Sequence, residues 1–115
     1  MEIEVGQYVR TKNGDIGTII DIDGLCIEAR FNGYTGKSTA NHYKIASFDI
    51  IDLIEVGDLL MMYSDLHQID GIQSILVKSE NHLKKIKTMI DIEIYDIKSI
   101  ITKEQMEQME YKIGE

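Results

Sequence analysis

The stretch Gly33-Tyr34-Thr35-Gly36-Lys37-Ser38-Thr39 contains the Gly-Lys-Ser that ends a phosphate-binding loop. Such a loop needs four residues between its first glycine and the Gly-Lys-Ser/Thr, so that enough backbone N–H groups wrap the phosphates. Here two residues separate Gly33 from Gly36, Phe31 stands where the first glycine belongs, and no apolar helix follows. The stretch therefore reads as a loop and not as a nucleotide site. Asp21-Ile22-Asp23-Gly24 sets two carboxylates at alternate positions, as a calcium loop does, but the next alternate position is Leu25. Without further oxygen ligands and a closing glutamate the sphere is incomplete, so a strand end turning at Gly24 is expected. His42, His67 and His82 form no pair at i, i+2 or i, i+4, which leaves no local metal ligand set. Cys26 is the only cysteine; it excludes an internal disulfide and a cysteine-rich zinc site. Beside Leu25 and Ile27 it reads as a small buried side chain rather than a nucleophile. No catalytic residue, cofactor or metal is predicted.

Two patches remain as candidates for binding. The first is acidic. Asp21 and Asp23, and again Asp91 and Glu93, alternate with isoleucines and are expected to project outward from strands, as are Glu2 and Glu4. If those strands are neighbours, rows of carboxylate form one negative face. The second is Arg30, Tyr34, Lys37, His42, Tyr43 and Lys44, a basic and aromatic stretch with glycines and threonines between. Rings that stack and cations that meet phosphate are what a nucleic-acid surface requires, and Lys84, Lys85 and Lys87 are candidates to extend it. The alternative for either patch is an ordinary solvated face.

The elements that must position these groups are mainly β. Ile3, Val5 and Tyr8 alternate with polar residues, as do Ile20 and Ile22, and Ile90, Ile92 and Ile94. This period of two predicts strands, and the β-branched residues favour them. Asn13-Gly14, Asp23-Gly24, Asn32-Gly33 and Asp70-Gly71 supply turns. Near the end, Thr102-Lys103-Glu104-Gln105 is a capping-box sequence. Met106, Met109 and Ile113 then form an apolar stripe, predicting a short amphipathic helix.

The chain also repeats itself. Ile-Glu-Val-Gly occurs at residues 3–6 and again at 54–57, each time entering an apolar segment. Phe48-Asp49-Ile50 with Leu53-Ile54 resembles Tyr95-Asp96-Ile97 with Ile100-Ile101. Internal repetition of this kind marks duplicated supersecondary units. The expected architecture is two tandem SH3-like half-open barrels, a first β-unit over residues 1–54 and a second over 52–101, followed by a helix and tail over 102–115. Gly6 and Gly57 are expected to mark a bend or bulge where each unit begins.

Twenty acidic residues against twelve basic ones give a formal charge of −8. Such a balance favours solubility and opposes non-specific adsorption to phosphate backbones. No apolar run approaches the length of about 20 residues that spans a bilayer, and the first residues lack the regions of a signal peptide. A cytoplasmic setting with no membrane contact is expected.

Val5-Gly6-Gln7-Tyr8-Val9-Arg10-Thr11-Lys12 with Gly14, the centre from Ile51 to Asp58, and the close from Ile101 to Gln105 resemble small uncharacterised proteins encoded by phages and prophages of low-GC Gram-positive bacteria. Leu59 stands where that group usually has tyrosine. The resemblance implies a mobile-element origin and action in the host bacterial cytoplasm, and it implies no activity. The leading expectation is a non-enzymatic protein-binding module, an acidic inhibitor of host nucleic-acid-handling machinery of the anti-CRISPR kind, presenting phosphate-like charge to a basic surface. The alternatives are a direct nucleic-acid-binding SH3-like protein using the Arg30–Lys44 patch, and a phage structural protein that self-associates into a homo-oligomer.

Overall fold

The computed structural model describes residues 2–63, 72–92 and 95–109. The chain divides into two units, Met1–Leu53 and Ile54–Glu115. Among the described residues it is mainly β, with eight strands in two antiparallel sheets and two α-helices.

The first unit is a five-stranded antiparallel sheet in which β1 (Tyr8–Thr11), β2 (Ile16–Asp23), β3 (Cys26–Phe31) and β4 (Tyr34–Ser38) form a meander and β5 (Tyr43–Ser47) returns to pair with β1. Its spatial order is β4-β3-β2-β1-β5, so β4 and β5 are the edges. A 3-10 turn, Ala40–His42, joins β4 to β5, and a second, Ile50–Leu53, follows β5. β3 shows the alternation that builds the core: Ile27, Ala29 and Phe31 are buried, while Cys26 and Arg30 are exposed. These three pack with Val9, Ile19 and Tyr43, and Ile3, Ile22 and Ala46 lean on the cluster. Each large apolar side chain so buried contributes about 1.5–3 kcal/mol. Gly17 has no room for a side chain, since a Cβ there would lie 2.7 Å from the Phe31 ring.

Three expectations change in this unit. Residues 2–7 are not strand, and β1 begins at Tyr8. In β2, Ile19 opposes Ala29 and Asp21 opposes Glu28, so Ile20 is an extra residue in a bulge. A bulge breaks the period of two, and the core therefore takes Ile19 and Ile22, not Ile20 with Ile22. The Asn13-Gly14 hairpin closes one residue wider than a two-residue turn, with Thr11 N–H donating to the Asp15 carbonyl at 2.9 Å.

In the second unit a three-stranded sheet, order β7-β6-β8, is built from β6 (Leu59–Tyr63), β7 (Ile72–Leu76) and β8 (Asp96–Ile101). Helix α1 (Glu80–Asp91) lies between β7 and β8 in the chain, and α2 (Lys103–Met109) follows β8. The strand expected through Ile90, Ile92 and Ile94 is corrected here. Ile90 and Asp91 end α1, Ile92 is its C-cap, and Ile94 lies outside the described residues. The cause is legible locally. The Ser79 hydroxyl caps the helix by accepting the His82 N–H, and Leu83, Ile86 and Ile90 recur at i, i+3 and i+7. Leu83 and Ile86 are buried.

The capping box of α2 forms as its sequence predicts. Thr102 Oγ1 accepts the Gln105 N–H at 3.3 Å, and Gln105 Oε1 accepts the Thr102 N–H at 3.1 Å. Met106 is half-buried and Met109 exposed; Ile113 lies outside the described residues.

The two Ile-Glu-Val-Gly segments adopt one geometry. Gly6 has φ +96° and Gly57 has φ +98°, a conformation that glycine adopts without steric cost. In the first turn Gln7 N–H donates to the Glu4 carbonyl at 3.3 Å, and in the second Asp58 N–H donates to the Glu55 carbonyl at 3.1 Å. Gly6 N–H reaches Ile19 O at 2.9 Å and Gly57 N–H reaches Val77 O at 2.8 Å; both bonds are returned, by Ile19 N–H to Gln7 O and Val77 N–H to Asp58 O, at 2.9 Å each. The strands that follow keep the correspondence. β1 sits between β2 and β5 as β6 sits between β7 and β8. The ladder to the third strand slips at the same step, skipping Lys44 beside Arg10/Thr11 and Lys98 beside Met61/Met62.

The second sequence match does not share this register. Tyr8 pairs with Ser47 and Leu59 with Ile101, so the end of β5 corresponds to the end of β8. Phe48-Asp49 bends away after β5, whereas Asp96-Ile97 opens β8. That likeness is one of sequence and not of strand register.

Candidate functional site

β2 and β3 carry the acidic candidate. Asp21 and Asp23 are both exposed, and they alternate with the inward Ile22. Asp21 lies in register with Glu28, and Glu28 with Lys37 on the edge strand. The outer face of this hairpin therefore holds three carboxylates. One cation, Lys37, contacts Glu28 at 3.8 Å with most of its side chain in solvent. Such an exposed pair contributes about 0–1 kcal/mol, and with Arg30 of β3 on the same face two cations stand against the three carboxylates, which leaves the face weakly negative. Asp91 is not on a strand: it ends α1 in the second unit. Glu93 lies outside the described residues.

The basic and aromatic candidate is divided by the pleat. Phe31 opposes Tyr34, Ala29 opposes Gly36 and Ile27 opposes Ser38, so Tyr34 shares the inner face. Arg30 opposes Thr35 and Lys37 opposes Glu28 on the outer face. Tyr34 stacks on Phe31 with ring centroids 5.0 Å apart, and its hydroxyl donates to Asp15 Oδ2 at 3.0 Å. Desolvation first, then that hydrogen bond and the Asp15 charge, push the Tyr34 phenol above its ordinary range. Tyr43 is buried in the core, where its hydroxyl accepts from Ser38 Oγ at 3.0 Å, so its face is not offered to a base. His42 packs edge-on against Tyr43, and Lys44 is the residue skipped in the β1–β5 ladder. The six residues do not converge on one platform. Lys84, Lys85 and Lys87 stand on α1 in the second unit.

Sequence reasoning missed a concave apolar site in the first unit. A groove of about 410 Å³ is lined by Ile3, Ile22, Leu25 and Ile27, with Thr39 and Asn41 as its polar side chains. Leu25, at the tip of the β2–β3 hairpin, is 86% exposed. The one available signal was this leucine inside a Gly24-Leu25 turn, where a polar residue is usual. The other walls come from segments far apart in the chain. Cys26, expected to be buried, is exposed beside it.

Two buried polar residues also escaped notice. Arg10 is fully buried and its Nη1 donates to the Leu53 carbonyl at 2.9 Å, tying β1 to the end of the second 3-10 turn. Asp58 is fully buried and accepts two backbone N–H groups, from Glu55 at 2.8 Å and Lys103 at 2.9 Å. Both roles are architectural.

Among the described residues no three His, Cys, Asp or Glu side chains gather as a metal set, and no helix is long and apolar enough to cross a membrane. His82 serves α1 instead, its Nδ1 accepting the Lys78 N–H at 3.0 Å. His67 lies outside the described residues. Comparison with protein-family models, with curated proteins and with solved structures finds no match to this chain.

Proposed function

We propose that the chain is a non-enzymatic protein-binding module of phage or prophage origin, acting on a cationic surface of a host protein that handles nucleic acid. The observation that carries this reading is the outer face of the β2–β3 hairpin, where Asp21 and Asp23 are exposed and Glu28 lies in register with Asp21. Carboxylates held on adjacent strands present a fixed spacing of negative charge, as a phosphate backbone does. Their contribution is to association rate and partner choice more than to bulk affinity. An inhibitor built this way occupies a basic channel without chemistry of its own.

The first unit is read as an SH3-like half-open barrel. Its strand order β4-β3-β2-β1-β5, the bulge in the long β2 and the 3-10 turn between β4 and β5 support that reading. The second unit is read as its reduced sibling. It has the same opening turn, and β7-β6-β8 are ordered as β2-β1-β5 are, with α1 where the first has β3, β4 and a 3-10 turn. Direct nucleic-acid binding has no comparable convergence of residues behind it, since Tyr43 is buried and Tyr34 turns away from Arg30 and Lys37.

Affinity purification from bacterial lysate, with the native chain and an Asp21→Asn/Asp23→Asn variant, tests the proposal. The expected result is a nucleic-acid-handling protein whose recovery falls with added salt and with the double variant. Recovery indifferent to both, or affinity for single-stranded nucleic acid in place of a protein partner, overturns it.

A further inference from the structure

We propose that the apolar groove of the first unit receives an extended segment of the partner protein in which an aliphatic side chain is flanked by lysine or arginine. The inference rests on the protein-binding reading above and adds the chemistry of the bound segment.

The argument begins with the groove's own surface. An exposed leucine taken singly is ordinary. Leu25 is different because it adjoins Ile3, Ile22 and Ile27 in one concavity of about 410 Å³. Apolar side chains gathered in a cleft with a few polar groups are the usual composition of a binding site. Thr39 and Asn41 provide those polar groups, a hydroxyl and a carboxamide able to meet the backbone of an extended guest.

Charge then selects the guest. None of the groove's lining residues is charged. Glu2 and Glu4 flank Ile3, and Asp21 and Asp23 flank Ile22, and all four are exposed. Consecutive residues have Cα atoms about 3.8 Å apart, well inside the roughly 8 Å Debye length of physiological salt. The carboxylates therefore act on whatever enters, although Asp21 and Asp23 face the other side of the sheet. Lys37, two residues before Thr39, and Lys44, three after Asn41, are exposed and oppose this field on the side of Thr39 and Asn41; Glu28 offsets Lys37 only weakly, at 3.8 Å. An anionic guest is repelled and a neutral one gains nothing from this field. A guest with cations beside an aliphatic anchor gains from the apolar walls and from the carboxylates of Glu2 and Glu4 that flank Ile3.

An amide NMR titration of the full chain with the peptide Lys-Lys-Leu-Leu-Lys-Lys tests the proposal, with Glu-Glu-Leu-Leu-Glu-Glu and Lys-Lys-Ser-Ser-Lys-Lys as controls. Saturable shifts at Leu25, Thr39 and Asn41 are expected with the first peptide and not with the controls. Leu25→Ser, which removes an exposed side chain and spares the core, is expected to weaken that binding about tenfold. Asp21→Asn/Asp23→Asn is expected to weaken it about threefold and to flatten its salt dependence. No shift at the groove overturns the proposal. So does an equal response to the serine peptide, which means charge alone, or to the glutamate peptide, which means no charge selection. Shifts at the groove that grow with protein concentration in the absence of peptide also overturn it, because a second copy is then the occupant. If the groove fails while Asp21/Asp23-dependent capture of a nucleic-acid-handling protein persists, the groove alone is wrong. If the peptide seats in the groove and no such protein is captured, the broader reading fails and the groove stands.

Discussion

Gln7 and Asp58 close equivalent turns with different side chains. Each accepts the backbone N–H of the glutamate three residues earlier, at 2.8 Å in both cases. Each is buried, Gln7 at 8% exposure and Asp58 at 0%. They part at the other atom of the side-chain head. Asp58 uses its Oδ1 to accept the Lys103 N–H and so binds the turn to the start of α2, whereas Gln7 carries an amide nitrogen there, a donor.

This difference predicts unequal costs of truncation. Asp58→Ala strands two backbone N–H groups and is expected to destabilise the chain by about 3 kcal/mol, whereas Gln7→Ala, losing one acceptor, is expected to cost about 1 kcal/mol. Asp58→Asn keeps one acceptor oxygen and should fall between them. Denaturant unfolding of the three variants, followed by circular dichroism, provides the comparison. Equal losses for Asp58→Ala and Gln7→Ala would show that the Lys103 bond contributes nothing.

The turn glycines give a second test. A Cβ at φ near +97° raises the energy of the turn, and Gly6→Ala and Gly57→Ala are each expected to cost about 1–2 kcal/mol. Gly57→Ala should be the worse. Its added carbon would lie 3.2 Å from Lys103 Cβ, near the backbone, while that at Gly6 meets only the Phe48 ring at 3.6 Å. Melting temperatures of the two variants, compared directly, decide the order.

The repeated four letters were readable because the turn's demands fall on those letters. A positive φ requires glycine, and the two strands that follow require apolar residues. The fifth position escaped because glutamine and aspartate share a role without sharing a letter. Period-two reading failed where backbone geometry broke the period, at the Ile20 bulge, and where a helix placed Ile90 and Ile92 two apart by chance. Tyr34, Tyr43 and Arg30 looked like one patch because they are close in sequence; only the strand register reveals that they occupy different faces. The groove was the least legible feature. Its walls come from residue 3, residues 22–27 and residues 39–41, and no local pattern announces a surface assembled from three distant segments.

Tyr34 supplies a pH-dependent prediction. Desolvation, the hydrogen bond to Asp15 and the Asp15 charge hold its phenol above the ordinary value of 10.0. A group whose folded-state affinity for its proton is raised contributes stability in full below the unfolded value, and that stability is lost as pH climbs through the folded value. The loss therefore belongs to alkaline solution above about pH 10. Tyrosine Cζ NMR titration, with Tyr34→Phe to assign the resonance, should show Tyr34 titrating above a free tyrosine. Asp15→Asn removes the negative charge and should move that titration down without abolishing the shift, because the partial desolvation of the half-exposed ring stacked on Phe31 remains. A titration unmoved by Asp15→Asn would mean that the 3.0 Å contact is not formed in solution.

Helix α1 makes a sharper demand, because its residues 90–92 also suit a strand. In a helix capped by Ser79, the amides of residues 83–91 should gain hydrogen-exchange protection together, and Ser79→Ala should lower it by about 1 kcal/mol. Leu83 and Ile86 lie on the buried side, so Leu83→Ala and Ile86→Ala are each expected to cost about 2–4 kcal/mol. Lys85, exposed on the opposite side, should tolerate alanine within about 0.5 kcal/mol. A strand alternates its faces every residue, which would set Lys85 and Leu83 on one side and Ile86 on the other. Comparable losses for Lys85→Ala and Leu83→Ala, with Ile86→Ala spared, would therefore argue for the extended chain and against the helix.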